Sequence, residues 1–405
     1  MRMFNRKTGM FCTLLFCIFM ITGCENAPKR GQNDDLKEET KASSEQYVSV
    51  EEAKNQLHEL EGKNMEGIYL PKQIGMPDIQ KVSEVKLTPW YTKQRENLET
   101  AIKNMWSDYE KVDWASIKEK TFTRSKDDAY YGSQKEDKKT GFLYSYDSGG
   151  FFSGDSLNDT DLTCASCVKG FDFEWGDAAS EEDVYELEDG ETSVPEAVSY
   201  TEALFNENLS GLEKGRFAYK VQHLYVIKNE DTGYYDFNMV IGRVYKGICI
   251  DTSSCFTFFS EGKSYDKTHG GIHMIAIMRH KNSLDFVNIC TELLDIEKET
   301  EKEKIISPIW AVQLINKEIA HGGGISFSDC GLVYLLVQDN RLAGENRQDV
   351  TQFVNETTYL RPVWLFMSAS SGTLFETMTQ DSHGTSVVVD ALDGTLYYYD
   401  GTGAY

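Results

Sequence analysis

Apolar residues recur along this chain in two rhythms, and the same pair of rhythms appears twice. Val194, Ala197, Val198, Thr201, Leu204, Phe205 and Leu209 fall at helical spacing. Ser193-Val194-Pro195-Glu196 opens that stretch as a capping box, with proline in the first turn where its missing N–H costs nothing. Next, Tyr219, Val221, His223, Tyr225 and Ile227 alternate with Lys220, Gln222, Leu224, Val226 and Lys228, which predicts a strand. A turn through Asp231 and Gly233 leads to a second strand from Tyr234 to Ile250, with further strands at 272–279 and 284–289. The plan then repeats. Ser307-Pro308 starts a helix with Pro308, Ala311, Val312, Ile315 and Ile319 on one stripe, and His321-Gly322 ends it. Strands follow at 332–338 and 360–367, and 387–392 and 395–399 flank Asp393-Gly394, a two-residue hairpin signal. Val363 to Phe366 is apolar on both faces, which predicts a central strand.

The earlier chain is less regular. Ser49-Val50-Glu51-Glu52 is a capping-box pattern that predicts a short helix to about Leu60, broken by Pro71, Gly75 and Pro77. A second helix is expected from Thr92 to Trp106, with Leu98, Ile102, Met105 and Trp106 on or near one face. Tyr130 to Gly132, Gly141 to Tyr146 and Gly149 to Phe152 read as short aromatic strands. Asp155 to Glu191 is dominated by acids and reads as a long surface loop or a linker, without EF-hand spacing.

The N-terminus fixes the expected compartment. Arg2, Arg6 and Lys7 precede an apolar run from Met10 to Ile21, too short for the roughly 20 residues of a spanning helix. This is a signal-peptide pattern. It ends in Met20-Ile21-Thr22-Gly23-Cys24, which resembles the lipobox of bacterial lipoproteins. The resemblance implies lipidation of Cys24 and an anchor at the extracellular face of the cell membrane, where acyl chains contribute ~0.8 kcal/mol per buried CH₂. Almost no apolar residue lies between Glu25 and Gln46, so a disordered tether is expected.

The expected organisation is α+β: a signal peptide over 1–23, a tether over 24–48, an N-terminal α+β domain with an acidic loop over 49–180, and two helix-plus-antiparallel-sheet units over 181–300 and 301–405. Four stretches carry a resemblance for those units: Ser193 to Leu209, Val240 to Asp251, Leu360 to Phe366 and Val387 to Gly394. They resemble the PepSY-like units of surface lipoproteins in Gram-positive, clostridial-type bacteria. Similar units occur in anchored accessory proteins that restrain sensor kinases or proteases, and the resemblance transfers no catalytic residue.

Charge and cysteine narrow the chemistry. A formal charge of −24 excludes nucleic acid as a natural partner and favours cations or basic segments. Of nine cysteines, Cys12 and Cys17 lie in the signal peptide and Cys24 is the lipidation site. The six that remain permit disulfides outside the cytoplasm; Cys249, Cys290 and Cys330 sit among apolar neighbours and read equally as core thiols. Cys164-Ala165-Ser166-Cys167 has acids on both flanks, which raise a thiol pKa; a local disulfide or a pair of thiols is expected, with no redox role. No second C-x-x-C completes a zinc site.

The hydrolase-like fragments are incomplete. Asp147-Ser148-Gly149 and His383 to Val387 look like the Asp and His blocks of subtilisin-like proteases, yet no serine follows Ser386. His321 to Gly324 copies an oxyanion element without a G-x-S-x-G elbow. His269, His273 and His280 lack the helix that aligns metal ligands, and His223 reads as a core histidine. The expectation is therefore a non-catalytic binding or regulatory lipoprotein without cofactor or metal. Its partner would be a basic peptide or protein segment at a sheet edge or inter-unit groove. The alternatives are an extracellular hydrolase with a dispersed acidic site and a solute-binding lipoprotein.

Overall fold

In the computed structural model the described residues are 42–89, 94–123, 131–137, 141–146, 151–155, 165–174, 176–230, 232–251, 257–260, 263–266, 274–290, 293–320, 324–338, 358–368 and 385–400. Strand β1 (Tyr47–Ser49) leads into helix α1 (Val50–Leu60), followed by β2 (Asn64–Met65), β3 (Ile68–Tyr69) and β4 (Val82–Pro89). After α2 (Gln94–Met105) come β5 (Lys120–Thr123), β6 (Tyr131–Asp137), β7 (Gly141–Tyr146), β8 (Phe151–Asp155) and β9 (Ala165–Asp172). A hairpin, β10 (Val184–Leu187) and β11 (Gly190–Ser193), runs into α3 (Val194–Phe205). Next are β12 (Ala218–Asn229), β13 (Tyr235–Tyr245), β14 (Ile248–Cys249), β15 (Thr257–Ser260), β16 (Lys263–Asp266), β17 (Met274–Met278) and β18 (Phe286–Cys290). Strands β19 (Leu294–Lys302) and β20 (Lys304–Ile306) precede α4 (Pro308–Ile315). The last strands are β21 (Ile325–Ser326), β22 (Asp329–Gln338), β23 (Thr358–Met367), β24 (Thr385–Asp390) and β25 (Leu396–Asp400).

The class is α+β with mostly antiparallel sheets. Two sheets dominate. One has ten strands in the order β5-β6-β7-β8-β18-β17-β13-β12-β9, with β14 beside β13. The other has eight in the order β16-β15-β25-β24-β23-β4-β19, with β22 beside β23. Each sheet buries a pair of helices, one early and one late in the chain. Leu98, Ile102, Met105 and Trp106 of the α2 region join Val194, Ala197 and Phe205 of α3 under the ten-stranded sheet. Val50, Ala53, Leu57 and Leu60 of α1 join Ala311, Val312 and Ile315 of α4 under the eight-stranded sheet.

The caps read from sequence form as expected. Ser193 accepts the Glu196 N–H while Glu196 returns a bond to the Ser193 N–H; Ser49 and Ser307 accept the N–H of Glu52 and Trp310. Helices α3 and α4 share a further feature. Both carry proline in the first turn and both end in a π turn, Asn206–Ser210 and Asn316–Ala320.

The expected domain limits do not match the sheets. Strand β4 pairs with β19 and β23, and β9 pairs with β12, so the segment 49–180 is divided between both sheets. The limit at 300/301 falls inside β19, and β15 pairs with β25 across it. The physical reason is that no helix is sandwiched until distant strands close over it, and local periodicity carries no pairing information. The tether also ends earlier than expected: β1 already pairs with β20 at Tyr47↔Ile306.

Other departures are local. Strand β9 and the β10–β11 hairpin occupy part of the expected acidic loop, because Phe171 and Leu187 are buried core residues. The loop at Asp393-Gly394 is longer than a two-residue turn, since Val389 pairs with Leu396. Strand β23 is central, as its two-sided apolar pattern requires. Residues 358–360 pair with β4 and 363–367 with β24, and Pro362, which has no N–H to give, sits in the gap between them. One end strand of each large sheet, β9 and β19, carries a bulge. Val168 is the extra residue of β9 opposite Val226 and Ile227 and is 47% exposed, and Glu297 is the extra residue of β19. Bulges at an end strand oppose strand addition, so β9 and β19 do not suit the sheet-edge partner expected above.

Candidate functional site at the seam between the sheets

The two sheets meet where β14 approaches β22. Ile250 bridges Tyr334 in parallel, and the Asp251 N–H donates to the Tyr334 carbonyl at 2.8 Å. The Phe217, Tyr245 and Tyr334 rings pack along this contact, the first pair tilted and the second edge-on.

A second bulge lies beside it. Strand β12 pairs Val221 with Ile241 and His223 with Val240, leaving Gln222 as the extra residue. This shifts the phase of the strand. Tyr219 and Val221 face the helix core, and so do Leu224 and Val226, while His223 leaves it. The strict alternation read from sequence therefore breaks at one residue. Gln222 is 1% exposed and its side-chain amide donates to the Ile250 carbonyl at 3.1 Å. Gly242 makes that possible: a Cβ there would stand 2.3 Å from the Gln222 amide.

His223 consequently enters a group of carboxylates, in place of the apolar face expected from sequence. Its Nδ1 is 3.4 Å from Asp172 and its Nε2 is 3.7 Å from Glu174. Asp172 lies directly across from it on β9, and the Asp172 N–H donates to Asp177 at 2.8 Å. Asp329, the first residue of β22, brings the other sheet to the group. Its carboxyl is raised above the ordinary value by burial and by the charges of Asp172 and Asp177, against the Ser328 hydroxyl and His223. Burial and the Glu174 charge push the Cys249 thiol up to about 12, so it is no thiolate nucleophile at neutral pH. The arrangement gathers negative charge that can accept a cationic group.

Three other ionisable groups are internally tied. Arg243 donates through Nε to Glu213 at 2.9 Å, and Glu213 also takes the Tyr219 hydroxyl at 2.6 Å and the Leu294 N–H at 2.8 Å. Arg361 binds Asp390 at 2.8 Å, Asp393 at 2.9 Å and Glu84. His280 binds Asp285 at 2.8 Å.

The chemistry-bearing residues singled out from sequence are largely elsewhere. Cys24, Cys164, the 147–149 and 383–384 blocks, His269, His273 and His321 to Gly323 lie outside the described residues. Cys167 sits in β9 two residues from the Lys169 carbonyl, which its sulfur approaches at 3.7 Å. Cys330 is a buried core thiol, as expected. Among the described residues no group of three or more His, Cys, Asp or Glu side chains is placed to hold a metal ion, and no helix is long and apolar enough to cross a membrane. His223 and its carboxylates were not grouped from sequence, because residues 172, 223 and 329 come together only through β9–β12 pairing and the seam.

No family model matches this chain, and no curated protein matches it. Among solved structures it is similar to an uncharacterized protein from Eubacterium rectale, at a TM-score of 0.52 and 14% identity, over 86% of this chain and 98% of that one. At that identity the likeness is one of fold.

Proposed function

We propose that the protein is a lipid-anchored extracellular lipoprotein with a non-catalytic binding or regulatory role, built on two PepSY-like units. It takes a basic peptide segment at the seam. The observation that carries this reading is the seam itself: Asp172 and Glu174 flank His223, and Asp329 of the other sheet lies within reach of the same charges, while end strands β9 and β19 are blunted by bulges. The shared plan of α3 and α4, each a proline-opened helix with a π-turn end ahead of antiparallel strands, supports the two units. A chain of net charge −24 attracts basic segments over distances that salt shortens.

Lysine-rich peptide binding to the mature chain, followed by fluorescence anisotropy, tests the seam. Binding should weaken as salt rises and weaken again in Asp172→Asn and Asp329→Asn. Equal binding by wild type and both variants would refute the seam as the contact. Fatty-acid labelling of intact cells tests the anchor: the wild type should label and Cys24→Ala should not. The hydrolase reading is favoured by one observation, an imidazole held between two carboxylates, which suits general acid–base work. Turnover of a cell-wall or peptide substrate that His223→Gln abolishes in the folded protein would select it instead.

A further inference from the structure

The turn between β17 and β18 carries a second histidine in a different setting. Asp285, buried at the turn's end, takes the Arg279 N–H at 2.7 Å and the His280 N–H at 3.2 Å on one oxygen. Its other oxygen meets His280 Nδ1 at 2.8 Å. Trp106 fixes the turn from the helix side, donating its indole N–H to the Asp285 carbonyl at 3.0 Å. The ring is thus oriented from beneath, and its Nε2 points out to Glu188 at 3.3 Å.

Glu188 stands at the tip of the β10–β11 hairpin. Three further bonds tie the tip to the same turn. The Glu188 N–H donates to the Arg279 carbonyl at 3.1 Å, the Lys281 N–H to Asp189 at 2.6 Å, and Lys281 Nζ to the Glu191 carbonyl at 3.0 Å. The hairpin ends in Ser193, the cap of α3, and plugs the core with Leu187. Whatever holds its tip therefore also holds the start of α3.

We propose that His280 is a pH-operated clasp that fixes the β10–β11 hairpin, and with it the first turn of α3, to the β17–β18 turn. As imidazolium the ring donates to Asp285 and Glu188 at once, and its single positive charge attracts both. As neutral imidazole, with Nδ1–H kept on Asp285, it turns an unprotonated Nε2 toward the Glu188 carboxylate, and attraction becomes repulsion. The backbone bonds remain, so the hairpin loosens without leaving.

The surroundings set the direction. Glu188, Asp189 and Asp285 act on the ring directly; around them Arg279 pairs with Asp236 of β13, Lys281 binds Asp189 and Glu191 and acts on Glu196 of α3, and Asp285 acts on Tyr200 of α3. Partial burial works against the charged ring, yet the Asp285 hydrogen bond and the charges of Asp285, Glu188 and Asp189 outweigh it, and the His280 pKa is raised. A raised histidine pKa contributes stability that is complete below the unfolded value and is lost as pH rises through the folded one. The clasp is closed in mild acid and slack in alkali.

Hydrogen exchange of the full-length protein from about pH 5 to about pH 8, corrected for intrinsic rates, reads it directly. Protection of residues 184–196 should fall about two- to fivefold across that range, the size expected for a part-exposed ion pair, while the β12–β13 ladder stays constant. The fall should vanish in His280→Gln. The His280 Cε1–H resonance gives an independent measure: its midpoint should lie above that of a free histidine and drop in Glu188→Gln, a change that leaves the core untouched. Protection of 184–196 that does not vary with pH, or a His280 midpoint unmoved in Glu188→Gln, would overturn the proposal.

Discussion

Two arginines, Arg243 on the ten-stranded sheet and Arg361 on the eight-stranded one, are furnished differently. Arg243, on β13, faces a single carboxylate, Glu213, and both are almost fully enclosed, at 2% and 1% exposure. Glu213 is saturated by Arg243, the Tyr219 hydroxyl and the Leu294 N–H, and Leu294 begins the strand that crosses to the other sheet. Arg361, on β23, instead faces three carboxylates, Glu84, Asp390 and Asp393, at a partly open margin. The first site is charge-balanced and holds the two sheets in register at the crossing. The second carries surplus negative charge, so its energy depends on protons. Balance marks a fastener, and imbalance marks a place where pH is felt.

The largest expected effect breaks the fastener. Glu213→Ala leaves Arg243 buried without its counter-charge and strands the Tyr219 hydroxyl and the Leu294 N–H. Removing one partner of a buried pair costs about 3–5 kcal/mol, whereas replacing both by apolar residues of similar volume is far milder. Urea unfolding should therefore show a lower midpoint for Glu213→Ala than for the double variant Glu213→Leu, Arg243→Met. A double variant as unstable as the single one would mean that the pair is not the fastener.

The next effect separates the two sites by acid. Burial raises Asp390 to about 6 despite Arg361, and burial raises Asp236 to about 6 despite Arg279. Both start from 3.8. A carboxyl with a raised folded pKa contributes stability that is whole below the unfolded value and is lost as pH rises through the folded one. Wild-type stability should then fall as pH rises from about 4 to above about 6. In the other direction, Glu196 is held below its ordinary 4.5 chiefly by the Ser193 backbone N–H of the α3 cap, and its contribution is lost as pH falls through the folded value. Arg361→Met removes the cation that Asp390 relies on and should cost about 2–3 kcal/mol near pH 8, less than a fully enclosed pair. Most of that loss should return near pH 5, where Asp390 takes up its proton. A loss in Arg361→Met that is the same at both pH values would contradict the assignment.

Local rules made much of the fold legible. The serine caps at 49, 193 and 307, the helix stripes they open and the two-sided apolar run at 363–366 are properties of short windows, and all of them form. What stayed hidden is long-range or compositional. Strand β19, with the sequence LDIEKETEK, has no alternation to betray it; it is a strand because β4 pairs with it along its length. Strand β9 was masked by the acids around it, although Phe171 is core. The division of the N-terminal segment between two sheets follows from which strands close over which helix, and no window of sequence contains that. The seam was the least legible part of all. His223 looked like one more residue of an alternating strand, and only the extra residue at Gln222 turns it toward Asp172 and Glu174.

That bulge supplies the smallest and most local expectation. Glycine at 242 sits opposite Lys220 on β12, and its backbone needs no unusual φ. The requirement is one of space: the Gln222 amide lies where a Cβ would be, 2.3 Å away, and it is held there by the Ile250 carbonyl. Gly242→Ala must push Gln222 off that bond or shift β13. Overfilling a packed site of this kind costs roughly 1–3 kcal/mol, and the lower end applies where a side-chain tip can move. The informative consequence is not the stability loss. Gln222 is the residue by which β12 changes phase, so displacing it alters the aim of His223 and the approach of β14 to β22. Gly242→Ala should therefore weaken lysine-rich peptide binding more than its modest loss of stability would account for, whereas Arg361→Met, on the far side of β23, should leave that binding alone at a pH where it is folded. Equal effects of the two substitutions on binding would separate the bulge from the seam and leave His223 as a core histidine among carboxylates.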